Sequence, residues 1–429
     1  MNKFILSSAL ATLFLMNSNV VYADLGAMVG SGNFYLNDGS AKAKIDIINQ
    51  VGGQVVRVPI YPPQYWKGKN PNKPKPEAFD DLLLNAYKND IVPMLIFAHD
   101  GKSASIGTYA NWHKTGKAFA ERFAPNSPWL LSQGIKGWGI EIYSAINEPG
   151  GTGFPIKGNQ SYYELLEGLA DGVHSVDPKL KVIPGGLRGR GDAFDTYLKA
   201  IAPLFNKGKL DGLDLHRYLN VHQSRNPSRW SAQSIFEKAK NQAGITADIN
   251  YYTTEFNVQG AQMSDREAGK IFLTLFWDQL GVVKNSGKGA SKLAMPWSLF
   301  GLTVDDKNYG LINSQNINSW ELETRAKVLK LALDLSEGMK FIHRDPKKKG
   351  LYVLKVPGKS PKKLYVWQNL DKWTNLPGKT HELTNISKSA KTLKVYGWDG
   401  LRATYSLSQQ SSYVVRNLAP EETYMFLVE

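Results

Sequence analysis

The chain has 429 residues, no cysteine and a formal net charge of +14 at neutral pH. Its length predicts more than one domain. A sequence without cysteine excludes a disulfide framework, a thiol nucleophile and a thiolate metal site.

The N-terminus is typical of an export signal. Lys3 is the sole charged residue before Asp24, and an apolar stretch extends over residues 4–16. The following small residues predict cleavage after Ala23. The apolar stretch is shorter than the roughly 20 residues that span a bilayer. We therefore expect a secreted or periplasmic protein without a transmembrane segment, and we expect it to be a monomer.

Residues 24–339 alternate short apolar strands with longer helical segments, which is the pattern of βαβ units. The predicted strands end at Gly32, Arg57, His99, Glu148, Pro184, His216, Glu255 and Trp297. The predicted helices cover residues 41–50, 76–90, 109–123, 162–173, 193–205, 232–242, 265–282 and 321–335. We therefore predict an α/β fold, a (β/α)8 TIM barrel. An open doubly wound sheet is the alternative, but the glycine-rich dinucleotide turn after its first strand is missing.

Residues 340–429 have a different pattern, with short β-type runs separated by turn-rich segments. The runs cover residues 352–356, 363–367, 392–396, 411–415 and 423–427. They predict a small C-terminal antiparallel β-sandwich domain. This part contains 16 Lys and Arg against 7 Asp and Glu, a net charge of +9. Such an excess fits an anionic polysaccharide or another acidic surface, or else a solvated face that keeps an exported protein soluble.

Two glutamates stand where apolar runs of the barrel open into loops. Glu148 lies in the string Ile142-Tyr-Ser-Ala-Ile-Asn-Glu-Pro149, and Glu255 lies in Tyr252-Thr-Thr-Glu-Phe-Asn257. Taken alone, Glu148 is better explained as a salt-bridged loop carboxylate, and Glu255 as a strand-end charge that faces solvent. Two carboxylates that separate strands deliver to one end of a barrel are what glycosidic bond cleavage requires.

Further polar and aromatic residues close neighbouring strands. Arg57 lies in an apolar run and needs a carboxylate partner, and His99 ends the third strand. His216 and Tyr218 point to the same side of the sixth strand, and Trp297 ends the eighth. Active sites of such barrels lie at the carboxyl ends of the strands, so we expect these side chains to share one site.

In combination these motifs resemble the clan A glycoside hydrolases, of which families 39 and 5 are the nearest. The resemblance covers the barrel, residues 24–339. It implies a retaining mechanism in which Glu148 is the acid/base and Glu255 is the nucleophile. Pro149 is followed by a glycine-rich stretch, residues 150–153, where the family pattern has a polar residue, and this departure leaves the subfamily and the substrate open.

The resemblance also implies a set of substrate-binding residues: Arg57, His99, Asn147, His216, Tyr218 and Trp297. In this reading Asn147 holds the sugar 2-hydroxyl and Tyr218 contacts the nucleophile. His216 orders the acid/base or the sugar, Arg57 supports the nucleophile, and Trp297 forms the floor under the sugar.

The charges of the two glutamates are expected to differ. Two carboxyl groups about 5 Å apart cannot both ionise cheaply, so we expect Glu148 to keep its proton and Glu255 to be ionised.

Additional sugar contacts are predicted from loop aromatics, with ordinary packing as the alternative: Tyr61, Trp66, Trp112 and Trp230. Arg188 and Arg190 either meet an acidic sugar or face solvent.

We predict a secreted retaining glycoside hydrolase, an endo-acting β-glycosidase that cleaves an extracellular, capsular or biofilm polysaccharide by double displacement. The alternatives are an exo-acting β-xylosidase or uronidase-like hydrolase and a catalytically silent polysaccharide-binding protein. We predict no metal and no organic cofactor, because zinc-protease, serine-hydrolase and phosphate-loop motifs are missing. No nucleic-acid-binding module is recognisable in the sequence.

Overall fold

The structure is a computed structural model, which describes residues 41–98, 107–149, 159–188, 192–224, 226–258, 263–286, 289–297, 303–304, 307–308, 310–312, 320–344, 350–358, 360–370 and 380–429. Within these ranges the helices are α1 (Ala41–Val51), α2 (Pro62–Tyr65), α3 (Asp80–Lys88), α4 (Tyr109–Phe123), α5 (Pro128–Ser132), α6 (Asn159–His174), α7 (Asp192–Asn206), α8 (Val221–Ser224), α9 (Pro227–Trp230), α10 (Ala232–Ala243), α11 (Asp265–Leu280) and α12 (Thr324–Ser336).

The strands alternate with these helices and then continue without them. The parallel strands are β1 (Val55–Ile60), β2 (Val92–Phe97), β3 (Ile142–Ala145), β4 (Lys181–Pro184), β5 (Leu187–Arg188), β6 (Gly212–Leu219), β7 (Asn250–Val258) and β8 (Ser291–Pro296). The later strands are β9 (Thr303–Val304), β10 (Lys307–Asn308), β11 (Lys340–Arg344), β12 (Leu351–Lys355), β13 (Lys363–Asn369), β14 (His381–Thr384), β15 (Thr392–Gly397), β16 (Gly400–Ser406), β17 (Ser412–Val415) and β18 (Glu422–Val428).

The parallel strands form two four-stranded sheets, in the orders β1-β2-β3-β4 and β5-β6-β7-β8. Only Gly185 and Gly186 separate β4 from β5, so the chain passes directly from one sheet into the other. A Cβ atom on Gly185 would lie 2.0 Å from the carbonyl oxygen of Ile146. Glycine is therefore needed here, because the backbones of two neighbouring segments approach closely.

The predicted strands two to eight are all present, and three of them extend further than expected. Arg57, His216 and Glu255 lie inside β1, β6 and β7. In β7 every residue after Asn250 is buried, which is typical of a parallel strand covered on both faces. The predicted strand ending at Gly32 lies outside the described residues.

The C-terminal strands form an antiparallel sheet in the order β11-β12-β13-β18-β15-β16 and a two-stranded sheet, β14-β17. Along β12, Tyr352 and Leu354 belong to the barrel core, whereas Leu351 and Val353 belong to a second core cluster with residues of β14 and β17. The large sheet is thus covered on both faces. The predicted antiparallel β-sandwich is confirmed.

Polar contacts fix the large sheet against α11. Lys270 Nζ lies 2.6 Å from a carboxylate oxygen of the buried Glu422, and the hydroxyls of Thr274 and Thr423 lie 2.7 Å apart. Gln368 Nε2 donates to the Thr274 carbonyl at 2.9 Å.

None of the described helices combines the length and the apolar composition that crossing a membrane requires.

Candidate active site

A strained turn presents Glu148 at the carboxyl end of β3. Ile146 and Glu148 have φ angles of 65° and 47°, in the left-handed region that side-chain-bearing residues adopt at a cost. The Glu148 N–H donates to the carbonyls of Gly185 and Gly186 at 3.0 and 3.1 Å. These bonds offset the strain and place Glu148 beside the junction of the two sheets.

A bulge in β7 presents Glu255. β7 pairs with β6 at Tyr252 and again at Phe256. Between these two pairs, the β7 segment is one residue longer than the β6 segment opposite it. It also has an extra residue opposite β8 between Thr253 and Phe256. Such bulges redirect a side chain out of the regular alternation. The Glu255 side chain is 10% exposed, at the inner wall of the site.

Two donors hold the Glu255 carboxylate. Arg57 Nη1 donates to Oε1 at 2.6 Å, and the Tyr218 hydroxyl donates to Oε2 at 2.9 Å. The second nitrogen of the guanidinium donates to Asn147 Oδ1 at 2.5 Å. Charge-assisted hydrogen bonds are shorter and stronger than neutral ones, so these contacts fix the position of the carboxylate.

Glu148 contacts two cationic side chains. His216 Nδ1 lies 2.9 Å from Oε1, and Arg188 Nε donates to Oε2 at 2.5 Å. The same Nδ1 atom lies 3.4 Å from Oε2 of Glu255, so the imidazole bridges the two carboxylates. A Cβ on Gly186 would lie 1.9 Å from His216 Nε2, so glycine is needed for this imidazole position.

The electrostatics favour a proton on His216 over a proton on Glu148. Burial opposes the ionisation of Glu148, but the hydrogen bond and charge of His216, together with Arg188, lower the pKa of Glu148 to about 2. Burial also opposes charging of His216, but Glu255 and Glu148 raise the pKa of His216 above its ordinary value. The prediction that Glu148 keeps its proton is therefore wrong for the ligand-free protein. Sequence spacing does not reveal that the imidazole contacts it.

The three groups form one compact cluster. One carboxylate oxygen from each glutamate and one nitrogen of His216 lie within 4.8 Å of one another. Three such atoms are able to ligate a metal ion, but the guanidinium groups of Arg57 and Arg188 already contact both carboxylates. A divalent cation would meet two positive charges there, so this donor set suits proton transfer better. Our prediction that no metal or organic cofactor is required stays a prediction.

Trp297 lies beside the nucleophile region. It directly follows β8, and its ring centroid is 6.2 Å from that of Tyr218, with the planes at 80°. Its backbone N–H donates to the Phe256 carbonyl at 3.0 Å, and its carbonyl accepts from Asn257. The indole therefore stands beside Tyr218, whose hydroxyl donates to Glu255. His99 and Arg190 lie outside the described residues.

Two of the predicted sugar-binding aromatics are wrong. Trp66 and Trp112 are 1% and 0% exposed and pack against each other at 5.5 Å. Trp66 donates its indole N–H to the Thr115 hydroxyl at 2.8 Å. Both rings fill the space between the sheet and α4. Tyr61 and Trp230 are partly exposed, and their role stays a prediction.

Two functional contacts, those of Arg188 and Asp214, were missed or underestimated from the sequence. Arg188 reaches Glu148 although its side chain is 60% exposed. Asp214 is fully buried and accepts two hydrogen bonds from Thr254. An aspartate between two leucines in a buried strand was the available signal, because a buried carboxylate needs partners.

No known family profile matches this sequence, and no curated protein matches it. Solved structures do match over most of the chain. A glucosidase from Croceicoccus marinus has a TM-score of 0.59 at 13% identity, with 90% of this chain and 91% of that chain covered. The fold is that of the clan A glycoside hydrolases. These neighbours are TIM-barrel glycosidases, so the likeness confirms the predicted fold class, and the structure itself has the parallel sheets, the helices and the C-terminal antiparallel sheet.

Two further neighbours have the same fold. A family 39 glycoside hydrolase from Bacteroides cellulosilyticus has a TM-score of 0.59 at 15% identity, with 95% of this chain and 81% of that chain covered. An endoxylanase from Clostridium papyrosolvens has a TM-score of 0.57 at 15% identity, with coverages of 94% and 96%. At such identities the likeness concerns the fold alone, and the chemistry has to be argued from the site.

Proposed function

We propose that this protein is a retaining β-glycosidase with Glu255 as the nucleophile and Glu148 as the acid/base. The observation that supports this most directly is the 4.8 Å limit on the distance between their carboxylate oxygens. Retaining glycosidases place their carboxyl groups about 5–5.5 Å apart, whereas inverting enzymes separate them by about 6.5–9.5 Å to admit a water molecule. The distance between the two carboxylate oxygens lies below the range of the inverting enzymes.

In the first step, the ionised Glu255 attacks the anomeric carbon while the glycosidic oxygen takes a proton from Glu148. The bond to the leaving alcohol breaks as the Glu255 ester forms. Arg57 and Tyr218 hold the attacking carboxylate in place, which reduces the entropy cost of the attack.

In the second step, Glu148 acts as the base. It takes a proton from a water molecule, the water oxygen bonds to the anomeric carbon, and Glu255 leaves as a carboxylate. Two inversions at one carbon give net retention of configuration.

We propose that the substrate is a polysaccharide cut internally. Partly exposed aromatic residues support this, since Tyr61 directly follows β1 and Trp230 lies between β6 and α10; flat rings at such positions stack on sugars along a cleft. The exo-acting β-xylosidase or uronidase-like reading differs in releasing single sugars. The silent-binder reading requires an incomplete catalytic pair, which the contacts of both glutamates disfavour.

The deciding experiment measures new reducing ends released from a panel of neutral and acidic polysaccharides and aryl β-glycosides. We expect release of oligosaccharides, with the β-anomer formed first by proton NMR. Single sugars as the first products would favour exo action. Binding of a polymer without any release from the panel would favour the silent binder, and a first-formed α-anomer would exclude retention.

A row of lysines on the C-terminal sheet supports an anionic polymer as the partner. Lys340 pairs with Lys355, which pairs with Lys363, on the adjacent strands β11, β12 and β13. Like charges directly opposite on neighbouring strands destabilise a sheet. Within the described parts of the chain no acidic side chain forms a salt bridge with this lysine row. Burial, followed by the charge of Lys355, lowers the pKa of Lys363.

Replacing the three lysines of the row with glutamine is expected to weaken binding to polygalacturonate about tenfold, since each exposed contact contributes roughly 0.5 kcal/mol. Binding is measured in the Glu255→Gln background, so that the polymer stays intact. The loss should shrink in high salt, and a neutral glucan should show no difference. The matched control removes three exposed lysines from the barrel helices, Lys117, Lys238 and Lys330. An equal loss in both triple variants would show that only net charge matters.

We also propose export, on the basis of the N-terminal signal pattern. Residues 1–40 lie outside the described ranges, so this proposal rests on sequence. N-terminal sequencing of the exported protein should begin at Asp24.

A further inference from the structure

We propose that Asp214 and Thr254 hold a proton on Nε2 of His216, so that His216 exchanges a single proton with Glu148 through Nδ1. Asp214 and Thr254 are then positioning residues, and His216 is the proton store of the acid/base. This inference rests on the proposed glycosidase function and deepens it, because it names the source of the proton that Glu148 donates.

A continuous chain of buried hydrogen bonds leads from β6 through β7 to the turn after β3. The Thr254 hydroxyl donates to Asp214 Oδ2 at 2.6 Å, and the Thr254 backbone N–H donates to Oδ1 at 3.0 Å. His216 Nε2 lies 3.2 Å from the Thr254 hydroxyl oxygen. Asp214 and Thr254 are 0% and 1% exposed, so water does not compete for these groups.

The direction of each bond follows from counting protons. A hydroxyl has one proton, and Thr254 gives it to the ionised Asp214. Toward His216 the hydroxyl oxygen is then an acceptor only, so Nε2 must carry a hydrogen. Because the hydrogen on Nε2 is held by the Thr254 hydroxyl oxygen, the exchangeable proton of the imidazole is the one on Nδ1. This atom lies 2.9 Å from a carboxylate oxygen of Glu148.

The groups around His216 come from five segments. The charged and titratable ones are Glu148, Glu255, Arg57, Asp214, Tyr218 and Arg188, the last through its contact with Glu148. Burial raises the pKa of Asp214, while the charge of His216 and the Thr254 hydrogen bond oppose that rise. The chain therefore forms above the pH at which Asp214 ionises.

The proton balance of the reaction is then complete within the site. Before the attack, the Nδ1 proton passes from His216 to Glu148, which becomes the neutral acid. Glu148 gives that proton to the glycosidic oxygen as Glu255 bonds to carbon. In the second step Glu148 takes a proton from water and returns it to Nδ1. His216 and both glutamates end as they began.

The matched pair Thr254→Val and Thr254→Ser tests the chain. Valine keeps the shape of threonine without the hydroxyl, and serine keeps the hydroxyl. We expect the pKa of His216, measured by NMR in the ligand-free protein, to fall by about one pH unit in the valine variant, because the charged imidazole loses an acceptor. The alkaline limb of kcat/KM should shift to lower pH by the same amount, with kcat affected more than KM. Serine should restore both values.

The signal of His216 among the seven histidines is assigned by its loss in His216→Asn, and thermal unfolding checks that each variant is folded. Asp214→Asn is the second variant. Its amide can donate to the Thr254 hydroxyl oxygen, and the hydroxyl can then donate to His216 Nε2, so both hydrogen bonds change direction. An unchanged titration of His216 in both Thr254→Val and Asp214→Asn would overturn the inference, as would a serine variant that behaves like valine. If the titration of His216 shifts in the variants as expected but the wild-type protein hydrolyses no substrate, the proposed function is refuted and the hydrogen-bond chain is not.

Discussion

Replacing Glu255 with glutamine is expected to lower kcat/KM by at least about 10⁴-fold, a loss of the size seen when a nucleophile is removed. The amide has the shape of the carboxylate but cannot form the ester to the anomeric carbon. It also leaves Arg57 with a neutral partner in place of its ion pair. The negative charge of Glu255 helps to raise the pKa of His216, so the variant weakens the proton store as well.

The measurement is the rate of reducing-end release on the best polymer of the panel, with binding of that polymer measured separately. Polymer affinity should change little, because most of the binding surface is untouched. Glu141→Gln is the matched control, since Glu141 directly precedes the same strand whose other end leads to Glu148. That variant should keep the wild-type rate within about threefold, as expected for a group outside the site. Activity of Glu255→Gln within tenfold of wild type would remove Glu255 from the role of nucleophile.

The barrel positions of the site were predictable because one rule governs them. Side chains at the carboxyl ends of parallel strands meet at one rim, and the spacing of His216 and Tyr218 places both on one face of β6. The structure accordingly brings Arg57 and Tyr218 to Glu255, and His216 to both glutamates. No knowledge of exact distances was needed for that step.

The contacts across strands were not predictable in the same way. The bulge at Glu255 is a shift in the register between β7 and its neighbouring strands. The alternation of residues along one strand does not reveal such a shift. Trp66 looked like a loop aromatic, but the following turn folds it under α4, where its indole finds Thr115. The protonation of Glu148 depends on distances of less than 4 Å to His216 and Arg188, and sequence spacing does not encode these distances.

The C-terminal part shows a related limit. The strands with long apolar runs, such as β13 and β18, were predicted because both of their faces are buried. The edge strand β16 is mostly exposed and polar, and β14 has only four residues with alternate burial. Such strands form because a neighbouring strand pairs with them. Their own residues therefore give only a weak sequence signal for a β-strand.

Replacing Glu148 with glutamine is expected to give a loss that depends on the leaving group. A natural glycosidic oxygen needs a proton as its bond breaks, so polymer cleavage should fall by about 10²–10⁴-fold, the usual contribution of general acid catalysis. A dinitrophenolate leaves without a proton, so formation of the Glu255 ester from a dinitrophenyl glycoside should stay close to the wild-type rate. The variant also lowers the pKa of His216, because Glu148 contributes to raising it.

Hydrolysis of that ester should then be slow, because no carboxylate takes the proton of the attacking water. The ester should accumulate, giving a burst of dinitrophenolate and a protein mass increased by one glycosyl group. Azide needs no base, so it should restore turnover and release a β-glycosyl azide. Glu255→Gln is the comparison, since a protein that forms no ester should release no β-glycosyl azide. Equal losses on the polymer and on the dinitrophenyl glycoside, or an azide product of the α configuration, would contradict the assignment of Glu148 and the retaining mechanism. The two glutamates are thus separable by experiment although a single imidazole contacts both, because one role forms a bond to carbon and the other moves a proton.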